Sequence, residues 1–203
     1  QPFQANRSYL QGRVSETLGL LYADHFPYRQ FASARGVRRS PIHHYLVDQG
    51  ACFGEAAGWE RANWFLPEEA LHAGKTAAYE YSWKRQNWFD YSAAEHAAVR
   101  QSVGLFDMSS FGKIKLVGRD AEAVLQRIAA NDVAVPVGKI VYTQLLNEGG
   151  HIEADVTITR LSDDEFLVVT PAATIRRDLH WITSHIPDDA QAYAIDMTVS
   201  ESV

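Results

Sequence analysis

The sequence contains one cysteine and two methionines, and both numbers limit what the chain can be. The single cysteine, Cys52, excludes an intramolecular disulfide and a cysteine-based zinc site, and we expect a buried, reduced thiol. Neither Met108 nor Met197 is the first residue, which is Gln1. We therefore expect the 203 residues to be a piece of a longer protein.

Long apolar runs, basic clusters and glycine-rich phosphate loops are also missing from the sequence. No stretch of about 18 apolar residues occurs, so no membrane-spanning helix is expected. Lys and Arg number 19 against 25 Asp and Glu, and the absence of a basic run argues against nucleic acid as a partner. Neither G-x-G-x-x-G nor a P-loop is present, so the chain carries no usual cradle for dinucleotide phosphates.

The composition that remains is that of an ordinary globular protein, with 46% hydrophobic and 22% charged residues. Residues 1–50 are predicted to be mostly helical, with a short helix over 43–49 that stops at Gly50. Residues 51–90 hold four of the five tryptophans but show no clear periodicity. We interpret these tryptophans as aromatic anchors that hold the segment on a neighbouring surface, and a ligand-binding wall is the alternative.

From Tyr91 onward the patterns are clearer. Ser92 and Glu95 form a capping-box pattern for one helix, Asp120 is a cap for a second, and Thr170-Pro171 is a start signal for a third. Alternating or β-rich segments predict strands over 113–117, 140–146, 152–159, 165–170 and 192–199. This order of helices and strands predicts an α+β fold whose mixed sheet is flanked by helices.

The strand over 152–159 carries the most informative side chains. Period-two alternation places His151, Glu153 and Asp155 on one face, while the opposite face points to the core. A solvated sheet face is one interpretation, and an acid/base carboxylate above a cofactor is another. A metal site is the third, but the same-face spacing of about 6.8 Å is long for three side chains to close on one ion. We predict no metal.

Several segments together resemble known families. Four of them resemble the aminomethyltransferase (glycine cleavage T-protein-like) folate-binding fold: GLFDMSSF at 104–111, LQRIAANDV at 125–133, VYTQLLNE at 141–148 and IEAD at 152–155. Three upstream segments resemble the central region of FAD-dependent dimethylglycine and sarcosine dehydrogenases: RRSP at 38–41, GEAAGWER at 54–61 and NWF at 63–65. The resemblance implies two parts, the end of a flavoprotein central region over 1–90 and the first half of a folate domain over 91–203.

The resemblance also assigns site residues. Asp155 matches the aspartate that this family places beside the reactive nitrogens of tetrahydrofolate. Four further residues match positions that line the folate slot: Phe111, Tyr142, Leu167 and Val169. Thr170 is expected to contribute to cofactor binding as well. Here the sequence departs from the T-proteins, because Thr170-Pro171 replaces a folate-contacting asparagine and that contact must differ.

By resemblance, the longer protein is a flavoenzyme that oxidises an N-methyl glycine-type amine and passes the one-carbon unit to tetrahydrofolate. The flavin domain and the second half of the folate domain would be its missing partners. We expect the isolated chain to be inactive, to bind no FAD and to bind folate weakly. The expected compartment is the cytoplasm, or the mitochondrial matrix in a eukaryote.

Two other functions remain open from the sequence. The chain could be a non-catalytic folded fragment or docking module, with the tryptophan-rich stretch as its interface. It could also belong to a flavin-independent, tetrahydrofolate-dependent methyltransferase or demethylase. The segments at 38–41 and 54–61 argue against the latter, since they match the region beside a flavin domain.

Overall fold

The computed structural model describes residues 2–202 and divides into two compact units, one ending at Asp107 and one beginning at Met108. Gln1 and Val203, the outer limits of the two predicted parts, lie outside the described residues. The predicted boundary near residue 90 stays a prediction. Within residues 2–202 no helix has the length and apolar character needed to cross a bilayer.

The first unit combines short helices with a two-stranded sheet. After a 3-10 turn at Pro2–Ala5, its elements are α1 (Arg7–Gly19), α2 (His43–Asp48), β1 (Ala51–Ala56), β2 (Trp59–Phe65), α3 (Glu68–His72) and α4 (Phe89–Gln101). The short helix predicted over 43–49 is confirmed as α2.

The β1–β2 hairpin was not predicted from the sequence. Its strands pair antiparallel through a turn in which Ala57 and Gly58 have φ angles of 52° and 84°. Two positive φ angles are typical of the primed turns that match strand twist. The hairpin buries Trp64, whose ring stacks on Tyr91 at a centroid distance of 5.5 Å. This packing fits the interpretation of the tryptophans as aromatic anchors.

The capping-box prediction for the first helix of the folate part was wrong. Helix α4 begins at Phe89, so Ser92 and Glu95 lie inside it. Glu95 Oε1 instead accepts a 2.6 Å hydrogen bond from the backbone N–H of Phe65 in β2. A long-range contact therefore uses the side chain that the local pattern assigned to the helix start.

Helix α5 begins directly after Asp120 as predicted, whereas the start of α6 differs from the prediction. Asp120 occupies the N-cap position of α5 without a capping hydrogen bond, and its Oδ2 accepts from the Gln191 backbone at 2.7 Å. Helix α6 begins at Ile175 with Thr174 at the N-cap. Thr170 is therefore the last residue of a strand rather than a helix cap.

The second unit is a five-stranded sheet with two helices, and the α+β class is confirmed. Its elements are β3 (Gly112–Val117), α5 (Ala121–Ile128), β4 (Ile140–Leu146), β5 (Ile152–Arg160), β6 (Glu165–Thr170), α6 (Ile175–Ser184) and β7 (Tyr193–Asp196). The strand order is β4-β5-β6-β3-β7.

The sheet differs from the predicted mixed sheet, because all its strand pairs within residues 2–202 are antiparallel. Strands β4, β5 and β6 follow one another as a meander. The α6 crossover joins β6 to β7, which run in the same direction but are separated by β3. A crossover that skips one strand creates no parallel neighbours, so a crossover helix alone does not make a sheet mixed.

Helices α5 and α6 cover one face of the five-stranded sheet, and the side chains packed between the helices and the sheet form the core of this unit. The buried side chains on this face include Leu116, Leu125, Ile158, Phe166, Val168 and Ile182. We call the opposite side of the sheet the outer face; it carries Tyr142, Asp155, Leu167 and Val169. Ile140 and Tyr142 on this face are 62% and 60% exposed.

Candidate functional site

Strand β5 presents Asp155 on the outer face as the alternation predicts. Ala154 and Val156 on either side of it are buried in the core. The strand runs antiparallel to β4, where Gln144 is the direct partner of Asp155. Because successive side chains alternate between faces, burial of Ala154 and Val156 forces the Asp155 carboxylate outward.

Two side chains from β4 orient this carboxylate. Tyr142 Oη donates to Asp155 Oδ2 at 2.9 Å, and Gln144 Nε2 donates to Oδ1 at 3.2 Å. The hydrogen bond to Asp155 raises the pKa of Tyr142, so the phenol remains a donor. Each carboxylate oxygen keeps a lone pair for a further donor, such as the N–H of an amine.

The register of the sheet continues the site across two more strands. Val169 of β6 pairs with Lys113 of β3. Thr157 of β5 is the partner of Val169 on its other side. Phe111 precedes β3 and takes no part in this register. Phe111 is half-buried, and its backbone N–H donates to Met108 at 3.0 Å.

Leu167 and Val169 add apolar area to the face that carries Tyr142, and Thr157 lies between Val169 and Tyr142 in the register. Leu167 and Val169 alternate with the buried Phe166 and Val168, so their side chains face outward and are half-buried. The structure thus brings Asp155, Tyr142, Leu167 and Val169 to one face. An oriented carboxylate next to aromatic and aliphatic side chains can bind a flat, nitrogen-rich ring system.

Thr170 does not join this surface. Its side chain is 1% exposed and points to the helical side of the sheet. There the Thr170 hydroxyl bonds to the buried Asp178 carboxylate, which also accepts from Thr174 Oγ1 at 2.6 Å. The proposed contact between Thr170 and a cofactor stays a prediction, and this hydroxyl is already engaged under α6.

Two residues of the outer face were missed in the sequence. Gln144 is one: a count back from the turn would have placed Thr143 opposite Asp155, and only the register shift between Leu145 and Leu146 brings Gln144 there. Lys113 is the other: its Nζ donates to the Ser109 carbonyl at 2.8 Å, and its side chain is buried. A lysine in a strand predicts an exposed side chain, so its burial gave no sequence signal.

The other candidate chemical groups have separate structural partners. Glu153 accepts from Asn147 Nδ2 at 2.7 Å, and Asn147 Oδ1 also accepts the backbone N–H of His151. No group of three or more His, Cys, Asp or Glu within residues 2–202 is arranged to hold a metal ion. Cys52 is buried as predicted, and its burial raises the thiol pKa to about 11.

Comparison with protein families gives two matches that divide the chain. The GCVT N-terminal domain matches residues 42–202. The FAD dependent oxidoreductase central domain matches residues 1–40. These two matches confirm the combination of families that the sequence segments resemble.

Curated relatives are much longer than this chain. It is 50% identical over 171 residues to 4-methylaminobutanoate oxidase (formaldehyde-forming) of Paenarthrobacter nicotinovorans, covering 84% of this chain and 20% of that protein. It is 34% identical over 201 residues to the mitochondrial pyruvate dehydrogenase phosphatase regulatory subunit of Mus musculus, covering 96% and 22%. It is 34% identical over 173 residues to mitochondrial sarcosine dehydrogenase of Homo sapiens, covering 76% and 19%. The chain therefore spans about a fifth of each relative.

A solved structure supports the fold. The glycine cleavage system aminomethyltransferase T from Bartonella henselae matches with a TM-score of 0.61 and 21% sequence identity. The match covers 80% of this chain and 39% of that one. At this level of identity the likeness establishes the fold alone.

Proposed function

Because this chain belongs to the GCVT N-terminal domain family, we propose that it forms one wall of a tetrahydrofolate site in a longer flavoenzyme. That enzyme oxidatively demethylates an N-methyl amine and passes the one-carbon unit to folate. The observation that carries this proposal is the Asp155 carboxylate, which Tyr142 and Gln144 orient on the outer face.

The outer face suits a reduced folate. Tetrahydrofolate supplies the nitrogen atoms that take up the one-carbon unit. Asp155 accepts a hydrogen bond from such a nitrogen and holds or receives its proton as the new carbon–nitrogen bond forms. Tyr142 and Gln144 keep the carboxylate in place, while Leu167, Val169 and the Tyr142 ring offer apolar area to the pterin and its neighbouring ring.

The assignment to a flavoenzyme rests on the first forty residues. They match the FAD dependent oxidoreductase central domain, and the sarcosine dehydrogenase and 4-methylaminobutanoate oxidase relatives are oxidoreductases by name. We assign FAD to the longer enzyme and no flavin contact to this chain. This match also favours the flavoenzyme over a flavin-independent methyltransferase.

The substrate we propose is an N-methylated amino acid. Sarcosine, the N-methyl glycine type, is named in one relative. The higher identity, 50% against 34%, is to an enzyme named for 4-methylaminobutanoate, which carries a longer chain between nitrogen and carboxylate. Two relatives are mitochondrial by name, and we place the enzyme in the mitochondrial matrix of a eukaryote or the cytoplasm of a bacterium.

A second candidate function is non-catalytic. The mouse relative named as a phosphatase regulatory subunit aligns with 96% of this chain. In that case the outer face would serve as a docking surface, and neither amine oxidation nor folate capture would be found in the longer protein. Assay of both activities separates the two candidates.

The chain alone should bind a reduced folate weakly. The match covers only 39% of the aminomethyltransferase whose fold the chain shares. The chain therefore supplies one wall of the site, whereas sites that bind small molecules tightly enclose most of the ligand surface. Calorimetric titration with 5-formyltetrahydrofolate should give a Kd well above about 1 μM. The backbone amide NMR signals that shift on titration should belong to residues of β4, β5 and β6. Asp155→Asn should make these chemical-shift changes smaller. Submicromolar binding would contradict the view that the site is incomplete.

A further inference from the structure

The first unit contains an open cavity of about 600 Å³ that the proposed folate chemistry does not use. It lies beside the β1–β2 hairpin, and we call it the arginine cavity. The residues that define it are Arg29, Arg35, Arg39, His43, Glu60 and Tyr79.

Three arginines line this cavity against one carboxylate, and the carboxylates of Glu55 and Asp107 act on it from outside the lining. Glu60 accepts from Arg35 Nε at 2.9 Å and from the Gly36 backbone at 2.6 Å, so its oxygens are already engaged. No ion pair within residues 2–202 includes Arg29 or Arg39. Since the whole chain carries a net charge of −6, this concentration of cations does not reflect a generally basic surface.

His43 lines the same cavity with its ring, while one of its nitrogens is buried away from the cavity. Its Nδ1 is buried and has no hydrogen-bond partner among the described residues. The ring is held by Phe53, at a centroid distance of 4.4 Å. Burial, together with the charge of Arg39, lowers the pKa of His43 and favours a neutral ring. A neutral imidazole adds no charge to the cavity, so the arginines supply its positive potential.

The guanidinium of Arg39 lies against a glycine. Gly36 has a φ of 71°, and a Cβ at this position would lie 2.6 Å from Arg39 Nη2. The missing side chain therefore leaves the space that the guanidinium occupies.

A fixed aromatic wall completes the cavity. The rings of Tyr79 and Tyr81 lie 5.7 Å apart and are tilted by only 3°. Their hydroxyls accept hydrogen bonds from Asn63 and from the Gln30 backbone at 2.7 and 2.8 Å. Both rings are therefore held in place before any ligand binds, which reduces the ordering cost of binding.

We propose that the arginine cavity binds a small organic anion, whose carboxylate or phosphate group is held by Arg39. The planar guanidinium donates two parallel hydrogen bonds to such a group. Arg29 adds charge at the rim, and the tyrosine wall contacts the rest of the ligand. This site lies in the first unit and does not depend on the function proposed for Asp155.

Calorimetric titration of the 203-residue chain with citrate and with pyrophosphate, at constant ionic strength, tests this site. We expect at least one probe to bind with a submillimolar Kd, and the tighter probe identifies carboxylate or phosphate as the group recognised. Arg39→Gln should weaken that binding about tenfold or more, because a charge-assisted hydrogen-bond donor is lost. The matched control Arg100→Gln removes the same charge from exposed helix α4 and should leave binding unchanged.

A second variant separates binding from folding. Arg29→Gln removes a charge from an exposed side chain of the cavity, so the Tm should stay the same while anion binding weakens. The proposal is overturned if neither probe binds with a Kd below about 1 mM. It is also overturned if Arg39→Gln and Arg29→Gln, both folded by circular dichroism, bind the anion like the unsubstituted chain.

Discussion

Replacing Asp155 with asparagine should uncouple one-carbon capture from amine oxidation in the longer enzyme. The amide keeps the shape of the side chain but removes the negative charge and the proton acceptor. It also places an amide group against Gln144, whose side chain donates to the Asp155 carboxylate in the unsubstituted protein. Loss of a positioned acid/base group costs about 100-fold or more in rate. We therefore expect methylenetetrahydrofolate formation to fall by about 100-fold while amine oxidation is unchanged.

The matched control for this substitution is Glu153→Gln. Glu153 lies on the same strand and face, but its carboxylate is bonded to Asn147 in the adjoining turn. This control should leave both rates unchanged. Stopped-flow flavin reduction measures the oxidation step, and the folate product is quantified by chromatography. Equal loss of both activities in Asp155→Asn would assign Asp155 a role in folding instead.

Replacing Glu60 with glutamine should destabilise the first unit by about 3–5 kcal/mol. Glu60 is buried, and its carboxylate bonds to Arg35 and to the Gly36 backbone. Removing its charge leaves the Arg35 guanidinium without its acidic partner in a partly buried place, which is more costly than never forming the pair. Urea unfolding followed by tryptophan fluorescence reports on this unit, because four of the five tryptophans precede residue 107.

Glu60→Gln should also make the stability of the first unit less sensitive to acid. Burial by itself raises the pKa of Glu60, but the Arg35 hydrogen bond, the Gly36 amide and the Arg35 charge together hold it below the ordinary value. A carboxyl with a lowered folded-state pKa stabilises above its unfolded pKa of about 4.3 and loses that contribution as the pH falls through the folded value. The unsubstituted chain should therefore lose stability below about pH 4.3 more steeply than Glu60→Gln.

Glu68→Gln, at an exposed position of α3, is the control for both measurements. It should unfold at the same urea concentration as the unsubstituted chain at every pH. The account of the Arg35–Glu60 pair is wrong if Glu60→Gln behaves like this control.

The central strand and its carboxylate could be predicted because period-two alternation is a local property. Residues 152–159 alternate cleanly, and the structure buries Ala154, Val156 and Ile158 as expected. The same rule, applied to β6, would have grouped Thr170 with buried Phe166 and Val168. Resemblance alone placed Thr170 at the cofactor, and the strand period shows why its side chain points to α6.

The features that could not be predicted depend on contacts distant in sequence. Glu95 bonds to Phe65 across thirty residues, so a local capping pattern could not reveal its role. The β1–β2 hairpin was hidden for two reasons. Its turn uses Ala57, a residue that rarely adopts a positive φ, and a register shift between Cys52 and Phe53 interrupts the alternation.

The fate of the substrate methyl carbon tests the central proposal most directly. The longer enzyme is supplied with a ¹³C-methyl-labelled N-methyl amino acid, with and without tetrahydrofolate, and the labelled products are followed by NMR. We predict that with tetrahydrofolate the label enters 5,10-methylenetetrahydrofolate in proportion to the amine oxidised, and that Asp155→Asn diverts it to formaldehyde. Release of formaldehyde in the same yield with and without tetrahydrofolate would contradict the proposal.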